Sequence, residues 1–222
     1  MRIDPDAVLW SAPERERAGR PLLVLLHGYG SHEGDLFSLA QSLPLEPVIA
    51  SVRAPFAQGP GYAWFPPVGP LLTGQFEGEQ VTAGQPSVEE RFAAIDESTS
   101  ALTDWLDMTE STGVGLLGFS QGAAMALQLL REHPTRFDYV VALSGFVVPN
   151  DHRGDALLAE LRPPVFWGRG TDDTVIASSL IDHTIEWLPE HSTLTEGIYE
   201  GVGHWVSPEE ISEFGAFIRS QL

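Results

Sequence analysis

The sequence predicts an α/β fold: a mostly parallel central sheet with helices on both faces. Short apolar runs alternate along the whole chain with longer stretches of helical spacing, which is the signature of strand–helix–strand units. The strand runs, such as Leu22 to Leu26, are apolar at every position rather than every second one, as in strands buried on both faces. Glycine-rich turns follow several of them, and sheets of this kind bind ligands beyond the C-terminal strand ends.

Pro21 to Leu26 is the first strand, and His27-Gly28-Tyr29-Gly30 ends it. Asp35 to Gln41 has helical spacing, with Asp35 as its expected cap. Val48 to Val52 is a second strand, stopped at Ala54-Pro55. Residues 56–86 are crowded with glycine and proline, with Trp64 and Phe65 among them. That density of breakers leaves no helix and no central strand, and a loop of this length suits an active-site cover. Ser87-Val88-Glu89-Glu90 forms a capping box. It opens a long helix with Val88, Phe92, Ile95, Leu102 and Leu106 on its inner side. Residues 113–119 form a strand, 121–132 a helix without a breaker, 138–143 a strand, and 165–167 another. Residues 176–188 suit a helix and 194–199 a strand. Ser207-Pro208-Glu209-Glu210 then caps a final helix, with Ile211, Phe214, Phe217 and Ile218 facing inward.

The chain has 222 residues, 43% of them apolar and 19% charged. That is enough apolar surface for one globular domain spanning 1–222, and neither repeat nor linker divides it. Twelve basic against 31 acidic residues give a net charge of −19. Such a charge repels phosphate backbones and anionic bilayers, so neither nucleic acid nor membrane insertion is expected. The absence of cysteine excludes disulfides, thiol nucleophiles and thiolate metal sites. Met1 to Asp6 lacks the basic start and apolar run of a signal peptide, and Leu22 to Leu26 is too short to span a bilayer. The expectation is a cytoplasmic protein.

The motif with the most chemistry is Gly118-Phe119-Ser120-Gln121-Gly122. It lies between an apolar strand and a helical run, the strand–turn–helix setting of a nucleophile elbow. Ser120 would stand at a helix N-terminus, where free N–H groups favour developing negative charge. A serine hydroxyl needs a base, and in this architecture the order is serine, acid, histidine. His204, in a glycine-rich turn between the last strand and the last helix, is placed to reach it; His191 suits a solvated cap at a helix exit. The acid lies in Gly168 to Ile176, after a strand, and spacing alone leaves Asp172 and Asp173 open. Backbone N–H groups of Gln121 and of Tyr29, after the first strand, are the expected oxyanion donors. His27 has no ligand cluster around it in sequence, so neither a metal nor another cofactor is expected.

With these motifs in view, the chain resembles the phospholipase/carboxylesterase family of α/β-hydrolases, which includes the acyl-protein thioesterases. Leu26 to Gly30 with Asp35-Leu36, Arg53-Ala54-Pro55 with Ala63-Trp64-Phe65, Gly118 to Gly122, Ala142 to Gly145, and Gly203-His204 carry the resemblance. It implies the α/β-hydrolase fold and hydrolysis of small carboxylic esters of short or medium acyl chain by a serine esterase. Thioester and lysophospholipid hydrolysis are the alternatives, with a silent binding protein on the same fold as a further one. It aligns Asp173, not Asp172, with the family's acid, although Thr174 stands where the family usually has proline. Trp64, Phe65 and Phe146 are expected as acyl-pocket walls, and a homodimer is compatible with the family.

Overall fold

The computed structural model describes residues 1–66 and 87–222; the greater part of the loop expected to cover the site lies outside them. The strands are β1 (Leu9–Trp10), β2 (Leu22–Leu26), β3 (Val48–Val52), β4 (Phe56–Gln58), β5 (Gly61–Ala63), β6 (Val114–Phe119), β7 (Tyr139–Leu143), β8 (Pro164–Gly170) and β9 (Thr193–Tyr199). Among the described residues, seven of them form one sheet in the order β1-β3-β2-β6-β7-β8-β9. Every pairing in it is parallel except that of the edge strand β1 with β3. β4 and β5 form a separate antiparallel hairpin.

Alternate side chains of the central strands enter two apolar layers, one per face. Leu22, Val24 and Leu26 pack on one side with Ile95, Leu102, Leu127, Leu130 and Trp187. Leu23 and Leu25 pack on the other with Phe214, Phe217 and Ile218. The helices that supply these residues are α2 (Val88–Asp107), α3 (Gln121–Glu132), α5 (Ser178–His191) and α6 (Pro208–Ser220); α1 (Gly34–Phe37) and α4 (Asp155–Leu161) are short. The expected inner faces of α2 and α6 are the buried ones; the side chain of Val88 lies outside the description. Both capping boxes form, at Ser87 with Glu90 and at Ser207 with Glu210.

Besides β1 and α4, which the sequence did not announce, three regions differ from expectation. The helix expected at 35–41 is a single α turn followed by 3-10 backbone at Ser38–Ser42. Asp35 does not cap it, because Glu33 is already helical (φ −59°, ψ −23°), whereas a cap needs extended backbone. Instead, Asp35 accepts the Ser31 hydroxyl at 2.6 Å. α5 begins only at Ser178 and runs through Pro189 to His191. The proline removes one bond in the last turn, which the helix tolerates. The glycine-rich stretch after β3 contains the β4–β5 hairpin, which lies off the main sheet.

Candidate active site

Ser120 follows β6 and precedes α3, at φ 55° and ψ −118°. A non-glycine residue here is strained. The turn is held by the Ser120 N–H on the Leu143 carbonyl at 2.8 Å and by Ala123 and Ala124 N–H on the Ser120 carbonyl. The flanking glycines are required by space. A Cβ at 118 would enter the Gly122 carbonyl, and one at 122 would enter the carbonyls of Leu26 and His27. The hydroxyl thus stands at the mouth of α3, above the C-terminal edge of the sheet.

The structure brings His204 and Asp173 to it from two other strand ends. Asp173 follows β8, and His204 lies between β9 and α6. The His204 Nδ1–H donates to Asp173 Oδ2 at 2.7 Å, and Nε2 lies 2.9 Å from Ser120 Oγ. Asp173 Oδ1 accepts the N–H of Val175 at 2.9 Å and of Ile176 at 3.3 Å. Burial pushes the Asp173 carboxyl up, but the bonds from His204, Val175 and Ile176 outweigh it and hold the group below the usual carboxylate range. Asp173 is therefore a fixed anion beside the imidazole. Asp172 is exposed, and its carboxylate takes the Thr171 hydroxyl at 3.2 Å. The two loops are tied by Asp172 N–H on Val202 O and Gly201 N–H on Thr171 Oγ1. Phe119 packs its ring 4.9 Å from that of His204.

The loop after β2 forms the opposite side. His27 is fully buried; its Nδ1–H donates to Gly28 O at 2.8 Å, and its Nε2 accepts the Ala54 N–H at 3.1 Å. Burial lowers its pKa and keeps it neutral. The β4–β5 hairpin docks on the same loop. Gly30 N–H donates to Tyr62 O at 2.9 Å and Tyr62 N–H to Ser31 O at 2.7 Å, and a Cβ at Gly61 would enter the Gly30 carbonyl. The Arg53 guanidinium forks onto Glu33 and holds its carboxyl below the usual range. Among the described residues, no acceptor takes the N–H of Tyr29 or Gln121, as an oxyanion hole requires.

Trp64, Phe65 and Phe146 are at most 1% exposed and lie in one core layer. Trp64 is pinned through three of its polar atoms. Its indole N–H donates to His27 O at 2.8 Å, its backbone N–H donates to Gln121 Oε1 at 2.8 Å, and the Ser98 hydroxyl binds its carbonyl. The Gln121 amide also donates to Phe65 O at 3.2 Å. Sequence reasoning missed this use of the Gln121 and Trp64 side chains, because a side chain bonded to a remote backbone leaves no spacing signal. His191 ends α5, stacks on Trp187 and bonds its carbonyl, far from any role with Ser120. Among the described residues no cluster of three or more His, Asp or Glu could hold a metal ion, and no helix is long and apolar enough to cross a membrane.

The sequence model of one family, Phospholipase/Carboxylesterase, matches residues 12–222. Acyl-protein thioesterase 1 of Eremothecium gossypii is 25% identical over 94% of this chain and 91% of its own length. That of Saccharomyces cerevisiae is 29% identical over 47% of this chain and 48% of its own, so the chain spans about half the length of the first curated relatives it matches. Among solved structures, esterase PE8 superposes with a TM-score of 0.73 at 26% identity, covering 100% of both chains. The Bacillus cereus carboxylesterase shares the fold, with a TM-score of 0.71 at 19% identity over 97% of this chain and 94% of that one. A match over nearly the whole chain, with its motifs gathered at one rim of the sheet, makes this protein a member of the phospholipase/carboxylesterase family of α/β-hydrolases.

Proposed function

We propose that this chain is a serine carboxylesterase acting on short- to medium-chain esters through an acyl-enzyme. The observation that carries the reading is the continuous bond path from Asp173 through His204 to Ser120, at 2.7 and 2.9 Å. His204 Nε2 takes the hydroxyl proton as Ser120 Oγ bonds to the ester carbonyl carbon. Negative charge moves onto the carbonyl oxygen, facing the N–H groups of Tyr29 and Gln121. Asp173 fixes the imidazole tautomer and stabilises its charged form. The tetrahedral adduct collapses, the C–O bond to the alcohol breaks, and the alcohol leaves with the proton from Nε2. Water then gives its proton to His204 and attacks the acyl-enzyme, which releases the acid and restores the hydroxyl.

The test compares wild type with Ser120→Ala on 4-nitrophenyl acetate and butyrate. A loss of at least about 10³-fold in kcat is expected on removing the nucleophile, and equal rates would remove the assignment. A thioester reading is favoured by one observation, that the relatives above are named acyl-protein thioesterases. Long-chain acyl thioesters turned over faster than short esters would put that reading first.

A further inference from the structure

We infer that the groove beside His204 seats the departing alcohol of the substrate, and that it takes a neutral, apolar one: a medium alkyl chain or an aryl ring. This rests on the ester-hydrolase reading of Ser120. Leu36, Leu39, Phe119, Trp205 and Val206 line the groove together with His204, around a cavity of about 260 Å³. That is below the usual range of roughly 300–1,000 Å³ for sites that enclose a whole ligand, and it suits one arm of an ester. Trp205 is 52% exposed although it directly follows the catalytic imidazole. The rest of the apolar lining is firm. Leu36 is 5% exposed, and Leu39, Phe119 and Val206 pack on the same core layer as Phe214 and Ile218.

The chemistry says which arm enters. The atom that receives the proton from Nε2 is the alcohol oxygen, which must come within hydrogen-bond reach of it. The alcohol's carbon skeleton therefore starts at the imidazole, and His204 is itself one of the residues that line the groove. On the other side of Ser120, Gln121 is bonded to Trp64 and Phe65. Asp35 and Ser38 complete the lining of the groove, Asp35 with its carboxylate on the Ser31 hydroxyl, in a chain of net charge −19. Both disfavour an alcohol that carries phosphate.

Two ester series separate the arms. Ethyl, butyl and hexyl acetates lengthen the alcohol at constant acyl group; ethyl acetate, butanoate and hexanoate lengthen the acyl group at constant alcohol. In wild type, kcat/KM should rise about tenfold from ethyl to hexyl acetate. Trp205→Ala should bring that ratio close to one, and Trp205→Phe should keep most of it. A ratio unchanged in Trp205→Ala, or a loss confined to the acyl series, overturns the inference. Binding of 1-hexanol, followed by saturation-transfer NMR in Ser120→Ala, needs no turnover. It should weaken at least fivefold on adding Trp205→Ala, and equal binding in both proteins overturns the groove assignment. Should no ester be hydrolysed, the esterase reading fails, while the hexanol measurement still decides the groove.

Discussion

The two flanks of Ser120 are held by different kinds of bond. On the relay flank, two loops from separate strand ends meet, among the described residues, through one side-chain pair, Asp173 with His204, through the Gly201 N–H on the Thr171 hydroxyl, and through backbone bonds between residues 171–172 and 199–202. On the oxyanion flank, the loop after β2 is clamped from several directions: by Ala54 on the His27 ring, by the Trp64 indole on its carbonyl, by Tyr62 on Gly30 and Ser31, and by Arg53 on Glu33. In the proposed mechanism the relay has to change protonation state during each turnover, whereas the oxyanion donors have only to stay where they are. A flank dominated by one charged pair should fail sharply at one residue. A clamped flank should lose function by degrees.

The largest expected effect follows from this. In Asp173→Asn the side chain keeps its bonds to the Val175 and Ile176 N–H groups but offers His204 Nδ1–H no anion. The imidazole then loses its fixed tautomer, and kcat should fall by about 10³–10⁴-fold. Asp172→Asn should stay within twofold, since that residue is exposed and its carboxylate bonds, among the described residues, the Thr171 hydroxyl. Steady-state kinetics on the two variants decides it, and the reverse ranking would move the relay to Asp172.

The flanks also differ in how pH acts on their stability. Glu210 caps the helix that follows His204 and is 1% exposed, with one carboxylate oxygen lacking a partner among the described residues. Burial, with the nearby Glu213 as a smaller cause, outweighs the bond from the Ser207 N–H and pushes it from the ordinary 4.5 up to about 7. The folded protein thus holds a proton that the unfolded chain releases. The stability this contributes is complete below about pH 4.5 and is lost as pH rises through 7, a change of roughly 3 kcal/mol. His27 has the opposite sign. Its folded pKa is lowered by burial, so the unfolded chain takes up a proton that the folded one refuses, and stability falls as pH drops below 6.5. Urea midpoints of wild type and Glu210→Gln between pH 5 and 8 test the relay-side half. The variant should lose less stability over that span, and a parallel curve would show that Glu210 does not titrate there.

The elbow was legible because it is local: strand, turn and helix fall within one window, and the demand for glycine at 118 and 122 is steric. The strand ends that carry Asp173 and His204 were legible for the same reason. The choice between Asp172 and Asp173 was not a matter of spacing, since adjacent residues in a turn point apart and only the loop's bonds decide which meets the imidazole. β1 is two residues long and exists through its pairing with β3. α4 leaves Leu157 and Leu161 exposed and buries only Leu158, so its apolar periodicity carried no core face. The expectation for Trp64 is a pocket wall, and no pattern in the sequence announces that its indole bonds the backbone of residue 27.

That bond gives a smaller catalytic loss than Asp173→Asn and the sharpest test of the clamped flank. Trp64→Phe keeps a ring in the core but removes the donor to His27 O, leaving a buried carbonyl without its partner, at a cost of about 2 kcal/mol. The Tyr29 N–H lies two residues beyond that carbonyl, while Ala54, Tyr62 and Arg53 still hold the loop. kcat should therefore fall only about tenfold, with KM little changed, because the oxyanion exists in the transition state and not in the bound ester. A loss as deep as that of Asp173→Asn would mean that the oxyanion flank also hangs on one bond, and a rise in KM alone would mean that Trp64 acts on the substrate rather than on the loop.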